Sequence, residues 1–324
     1  MRGVRIGLCG TDHEINEGYY GSAPPGSDAL VLGHESLGRV VRGSADLPDG
    51  TLVVGIVRRP DGCPNCARGQ QDMCLWGDFT ERGIGGLHGF GSEWWVERPE
   101  YVVAIPERLA DGGVLLEPLT VVEKVVRHAF RIQGRAHWEP KRALVAGAGP
   151  IGILGAVLLR LGGLAVTVFE RTEKPERREL LGRIGAGYAA TEATPLEEIV
   201  AGAGPVDMAI EATGNAGVAF TLMRHLGTNG VLGLTSVSGG DATAEVPVAR
   251  VNRGLVLGNK VVFGSVNANR ADFEQGVRDL GEAERRWPGF LATLITARVP
   301  LADAAPAVTH DPRQIKVVVE LGGA

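Results

Sequence analysis

No apolar run in this 324-residue chain reaches ~18 residues, which excludes a membrane-spanning helix. The opening segment, MRGVRIGLCG, lacks the long apolar stretch of a signal peptide, so a cytoplasmic protein with no membrane partner is expected. Basic residues are not in excess: 33 Lys and Arg stand against 38 Asp and Glu, a formal net charge of −5. That balance argues against a nucleic-acid partner, which needs a positive face for the phosphates. Cysteine is sparse, with four in the chain. Without an export signal, those four are expected as metal ligands or free thiols and not as a disulfide framework. Aromatic residues are scarce as well, at 5%.

Glycine is abundant: 48 of 324 residues, roughly twice the usual share. No G-X-Y repeat accompanies it, which excludes collagen and points to tight turns and close backbone approaches. Apolar residues at 44% and charged ones at 22% describe a soluble globular chain. Its length exceeds the ~250–300 residues of a single core, so two domains are expected. Up to about residue 118 the pattern is irregular and Gly/Pro-rich, with strand-like runs at Val53–Val57 and Tyr101–Ile105. Apolar residues at helical spacing then follow, at Leu116, Leu119, Val122, Val126 and Phe130. Beyond them strands alternate with helices, the signature of a parallel sheet with crossovers. After about Ala271 come a helix and two more strand-like runs, ITARVPL and IKVVVEL.

Gly147, Gly149, Pro150, Ile151 and Gly152 lie in a G-x-G-x-x-G turn between an apolar strand (143–146) and a helix (153–161). The first Gly allows the turn, the second the approach of a pyrophosphate, and the third close packing of helix on sheet. The helix N-terminus favours the anion. Glu170 follows about 20 residues on, where a carboxylate accepts ribose hydroxyls, and Arg171 beside it attracts a 2′-phosphate. The cofactor is expected to be NAD, with NADP as the alternative.

Cys9 in GLCGTDHE and His34 with Glu35 in LGHESLGRV offer a thiolate, an imidazole and a carboxylate. Such a set fills three positions on Zn²⁺ and leaves one open for an alcohol. Cys63-x2-Cys66-x7-Cys74 has the spacing of a second, structural metal site. It holds three thiolates, and a carboxylate, Asp78 or Asp61, is the candidate fourth ligand.

GLCGTD, G-H-E at 33–35, the cysteine cluster and G-x-G-x-x-G together resemble the zinc-dependent medium-chain dehydrogenase/reductase superfamily. RRPDGCPNCARGQQDMC, HGFGSEWW, LLEPLTVVEK and GSVNANR are similar to its glucose 1-dehydrogenase and aldose dehydrogenase branch. The resemblance implies an α/β fold, with a GroES-like β-rich catalytic domain (1–118 and 272–324) and a Rossmann domain (119–271). Cys9 stands nearer the start than family members place the matching cysteine, so the GroES-like domain is expected to lack its first strands through a misassigned start. Cys9, His34 and Glu35 carry over as catalytic zinc ligands. Glu117 matches a residue beside the metal and the sugar, as a further zinc ligand or a substrate contact, and Thr11 a hydroxyl that hydrogen-bonds the reacting oxygen. Pro60 replaces the first cysteine of the structural set. Glu81 matches a sugar-binding carboxylate, and Asn267 an amide between sugar and nicotinamide. His88 is expected as an exposed loop residue. The implied activity is oxidation of an aldose, glucose first, at C1 to a lactone by NAD(P), with two zinc ions per chain and a homo-oligomer, dimer or tetramer. The alternatives are another polyol or secondary-alcohol dehydrogenase of the superfamily, or a non-catalytic NAD(P)-binding homologue.

Overall fold

A computed structural model describes residues 1–238, 243–309 and 311–322. The chain divides into two compact units, Met1–Thr120 with Asn267–Ala324, and Val121–Val266. Along the first stretch lie β1 (Arg2–Leu8), α1 (Gly10–Asn16), β2 (Glu35–Arg39), β3 (Leu52–Gly55), β4 (Arg58–Arg59), β5 (Thr80–Arg82), β6 (Gly86–Leu87) and β7 (Val102–Ala104). The second unit begins within α2 (Leu116–Gln133) and runs through β8 (Arg142–Ala146), α3 (Pro150–Leu161), β9 (Ala165–Glu170), α4 (Pro175–Arg183) and β10 (Gly187–Ala190). It continues with α5 (Leu196–Ala203), β11 (Val206–Glu211), α6 (Ala216–His225), β12 (Leu226–Leu234), α7 (Val248–Leu257) and β13 (Val261–Gly264). The first unit resumes with α8 (Arg270–Arg286), β14 (Ile295–Pro300) and β15 (Lys316–Glu320).

In the first unit the described residues form a six-stranded sheet, β14-β15-β1-β2-β3-β7, and a small sheet, β4-β5-β6. β1 lies between β15 and β2, antiparallel to both, with Gly7 opposite Glu35 and Leu8 opposite Val317. Strands from both ends of the chain thus meet at β1. Behind them pack Ile6, Leu8, Val53, Phe90, Trp95 and Val319, with Phe90 and Trp95 edge to face at 4.8 Å.

In the second unit the described strands form a parallel sheet in the order β10-β9-β8-β11-β12-β13. The strand order reverses direction between β8 and β11, where doubly wound sheets bind ligands. Leu144, Ala146, Phe169, Ala209 and Leu232 fill its core. The sheet is buried, which is why its strands read as near-continuous apolar runs. Near the two ends of this unit, the ammonium of Lys124 donates to the carbonyl of Val266 at 2.9 Å. α2 departs in detail from its sequence pattern: past Val122 the buried stripe runs through Val125 and Ala129, leaving Val126 half-buried. Phe130 is 47% exposed and packs edge-on against Trp138. No helix among the described residues is long and apolar enough to cross a membrane.

Candidate metal centre and cofactor cradle

Among the described residues, two groups of Cys, His and acidic side chains bring ligand atoms within 4.8 Å of one another. The first is Cys9, His34 and Glu35. Cys9 ends β1 and caps α1, its N–H donating to Oδ2 of Asp12 at 3.1 Å. Its Sγ lies 3.2 Å from Nε2 of His34, close to the ~3.5 Å that a shared tetrahedral zinc sets between sulfur and nitrogen. Nδ1 of His34 faces Oδ1 of Asp12 at 3.5 Å, long for a hydrogen bond but close enough for strong attraction. Asp12 is fully buried and also accepts from the N–H of Gly33 at 3.3 Å. Burial alone would push the His34 imidazole down, but Cys9 and Asp12 outweigh it and hold the ring well above its usual pKa. A carboxylate behind a ligand imidazole sets its tautomer and orientation, so Asp12 belongs to this centre although only Cys9 and Thr11 of C-G-T-D were expected there.

Glu35 owes its position to strand register. It stands opposite Gly7, and a Cβ on Gly7 would fall 2.0 Å from Oε2 of Glu35. Only glycine leaves that space. Oε1 of Glu35 accepts from the Lys316 ammonium at 2.6 Å, and the same ammonium donates to the Leu8 carbonyl at 3.2 Å. Lys316 and Glu35 are each 1% exposed. Oε2 of Glu35 is buried without a hydrogen-bond partner. A thiol, an imidazole and this orphaned carboxylate oxygen form a donor set that fits zinc.

Glu117, expected among the ligands, is not part of that group. It is buried in the first turn of α2, where burial, aided by Glu35, pushes its carboxyl up to about 7 against the opposing pull of His34 and Lys316. Thr11 is half-buried on α1, near Tyr20, whose phenol burial pushes up.

The second group is Asp61, Cys63, Cys66 and Cys74. The fourth member is therefore Asp61 and not Asp78. The N–H of Cys63 donates to Oδ1 of Asp61 at 3.0 Å, a local turn that aims the carboxylate at the thiols. Oδ2 of Asp61 lies 2.7 Å from Sγ of Cys74, and Asp78 contributes its backbone N–H to that same oxygen at 3.3 Å. Backbone N–H groups of Cys66 and Leu75 point at Sγ of Cys63. Burial pushes the Cys66 thiol up to about 12. A cluster this crowded with acceptors matches a three-sulfur, one-oxygen zinc set.

Glu81 and Asn267 are brought together. Oε1 of Glu81 accepts from Nε of Arg58 at 2.9 Å and from Nδ2 of Asn267 at 2.7 Å. Asn267 holds a left-handed backbone at φ 60°. The turn after Glu81 lies against the backbone beside His34, since a Cβ on Gly83 would stand 2.9 Å from the Gly33 carbonyl oxygen. His88 is not a free loop residue: its Nδ1 accepts from the N–H of Val31 at 3.2 Å.

In the second unit, Gly147 takes φ 101° at the end of β8, where a Cβ would meet the Ala212 carbonyl oxygen at 2.7 Å. A Cβ on Gly152 would stand 1.8 Å from the Gly147 carbonyl oxygen. One on Gly149, the N-cap of α3, would point into open space. Pro150 and Ile151 start that helix. The cradle fits a pyrophosphate: tight where helix meets strand and open where the anion must come. Glu170 ends β9 and is already engaged, accepting from the Tyr188 hydroxyl at 2.7 Å and the Lys174 ammonium at 2.8 Å. Arg171 is 85% exposed and pairs with Glu192 at 3.3 Å. Lys174, missed in the sequence, is thus a second cation at this corner.

Comparison with known proteins gives the family. Residues 110–321 match the model of the glucose dehydrogenase C-terminus, and residues 2–107 that of the alcohol dehydrogenase GroES-like domain. Glucose 1-dehydrogenase of Methanocella arvoryzae is 44% identical, over 99% of this chain and 91% of the relative. That of Halobacterium salinarum is 40% identical over the same shares, 99% and 91%. The glucose dehydrogenase of Haloferax mediterranei, solved with NADP, Zn and gluconolactone, superimposes with a TM-score of 0.91 at 33% identity, covering 100% of this chain and 92% of that one. The chain belongs to the zinc-containing medium-chain dehydrogenase/reductase superfamily and, within it, to the glucose dehydrogenase family.

Proposed function

We propose that this protein oxidises glucose at C1 to gluconolactone, using NAD or NADP. The observation that carries this is the Cys9–His34–Glu35 donor set, in a chain whose relatives carry the glucose 1-dehydrogenase name. C1 gives up a hydride and its hydroxyl a proton, so the products are the lactone, the reduced nicotinamide and one proton. Zinc, when bound, supplies a Lewis acid that makes the hydroxyl acidic near neutral pH, and the nicotinamide takes the hydride. Cys9, His34 and Oε2 of Glu35 would hold that ion, while Asp12 fixes the His34 ring and Lys316 balances Glu35. The Thr11 hydroxyl receives the substrate proton and hands it to solvent. Glu117 faces the substrate rather than the ion. Its carboxyl, poised near neutrality, donates or accepts a hydrogen bond as the sugar requires. Glu81 and Asn267 take sugar hydroxyls, which both donate and accept. Asp61, Cys63, Cys66 and Cys74 hold a second, structural zinc.

A panel of aldoses, polyols and secondary alcohols, each with NAD and NADP and followed by nicotinamide absorbance, tests the reading. Glucose should give the highest kcat/KM. A higher value for an acyclic polyol would overturn the aldose assignment, and no turnover with any of them would leave only cofactor binding.

Cofactor preference rests in this reading on Glu170, Arg171 and Lys174. Glu170→Ala should remove a charge that repels a 2′-phosphate and free Lys174 to meet it, shifting kcat/KM toward NADP. Arg171→Ala and Lys174→Ala should shift it toward NAD. Each change should be roughly 10- to 100-fold, the worth of one hydrogen bond to a charged group. Unchanged ratios in all three would place the adenine ribose away from the end of β9.

A further inference from the structure

The cysteine lobe touches both candidate sugar residues through intermediates that belong to neither site. Arg58 is buried, 5% exposed. Its guanidinium lies 3.6 Å from the centre of the Phe79 ring and donates by Nη1 to the Gln71 carbonyl at 3.4 Å. Gln71 belongs to the short turn that leads to Cys74. Nε of Arg58 holds Oε1 of Glu81. On the other side Oδ1 of Asp72, in the same turn, accepts from Nδ2 of Asn269 at 3.0 Å. Asn269 caps α8 through its Oδ1, which accepts from the Ala271 N–H at 3.0 Å, and stands two residues from Asn267. Asp72 and Asn269 are both buried. Consecutive residues of one metal-lobe turn therefore reach Glu81 by way of Arg58 and the Asn267 segment by way of Asn269.

We propose that Arg58 and the Asp72–Asn269 pair are positioning residues through which the Asp61/Cys63/Cys66/Cys74 lobe sets the geometry of the sugar subsite. This rests on Glu81 and Asn267 binding sugar hydroxyls. It gives the lobe a part in specificity as well as in stability. The planar Arg58 guanidinium is held by the Phe79 ring and the Gln71 carbonyl, so its single Nε contact orients Glu81 as well as neutralising it. Asn267 is held in a left-handed conformation that asparagine tolerates but does not prefer, so its segment needs the anchor next to it.

The test uses the zinc-replete enzyme, with glucose KM at saturating NADP and direct titration of gluconolactone and NADP. Glu81→Gln is the control for the subsite. If it leaves glucose KM unmoved, the sugar reading of Glu81 falls and this inference with it. Arg58→Met keeps the stem against Phe79 and removes the donors. Asn269→Ser keeps a capping hydroxyl and removes the amide bridge to Asp72. Each should raise glucose KM and weaken gluconolactone binding roughly tenfold, with NADP affinity unchanged and kcat within a few-fold. Arg58→Lys should recover part of the loss. If Arg58→Met fails to fold, Asn269→Ser decides. Cys66→Ser, assayed below its melting temperature, should weaken gluconolactone binding in step with lost lobe zinc. If Glu81→Gln raises KM while Asn269→Ser and Cys66→Ser leave sugar affinity within twofold, the lobe is a stabilising element alone and the inference is overturned.

Discussion

Cys9→Ala should lower glucose turnover by roughly a thousandfold or more while NADP still binds with its original affinity. The Lewis acid of an alcohol-oxidising site is worth several kcal/mol of charge stabilisation, and ~4 kcal/mol is a thousandfold. Three side chains form the donor set, so removing one leaves two, and metal retention drops with activity. Cys9 also caps α1 by its backbone N–H on Asp12, a contact the substitution keeps. The Gly147–Gly152 cradle lies in the other unit. Turnover, zinc content and an NADP titration on one preparation separate these effects. Activity within tenfold of the parent, with the zinc gone, would refute a catalytic role for the ion.

The second large effect is expected at Lys316. Lys316→Met preserves the volume of the buried stem and deletes the ammonium that holds Oε1 of Glu35 and the Leu8 carbonyl. Breaking one side of a buried ion pair costs about 3–5 kcal/mol because the other charge is left without compensation. A bound divalent ion beside Glu35 replaces part of the missing charge. The loss should therefore be greatest in chelator-treated protein and smaller in zinc-replete protein. Denaturant midpoints measured with and without chelator check both size and order. Equal and small shifts in the two conditions would mean that the Lys316–Glu35 contact does not balance the site.

The nucleotide unit was legible because its signals are local. The glycine turn, its flanking strand and helix, and Glu170 lie within about one βαβ unit, whose spacing is fixed by backbone geometry. What escaped depends on contacts between distant segments. Lys316 reads as the polar first residue of a strand, and its partnership with Glu35 follows only once β15 and β2 flank β1. Asp12 sits in the same motif as Cys9 and Thr11, and its place three residues after a capping Cys9 was a usable signal. Asp61 had one as well: an aspartate two residues before Cys63 forms a turn onto that residue's N–H. Asp78, four residues after Cys74, offers the cluster its backbone instead. The α2 stripe drifted for a similar reason, since periodicity fixes a face only to within about one residue.

The Lys124 contact with the Val266 carbonyl bears on what it costs to seat one folding unit inside another. Glu35 and Lys316 are 281 positions apart, a long loop for the first unit to close. With residues 121–266 folded and their ends tied at Lys124 and Val266, the disordered length that closure must overcome is about halved. Loop entropy grows only with the logarithm of length, so halving it returns ~0.6 kcal/mol. That is on the order of a single hydrogen bond. The interruption of the catalytic unit by a whole nucleotide unit is therefore nearly free in equilibrium terms. A comparably small change in folding free energy is expected for any insertion at this junction whose own ends come together.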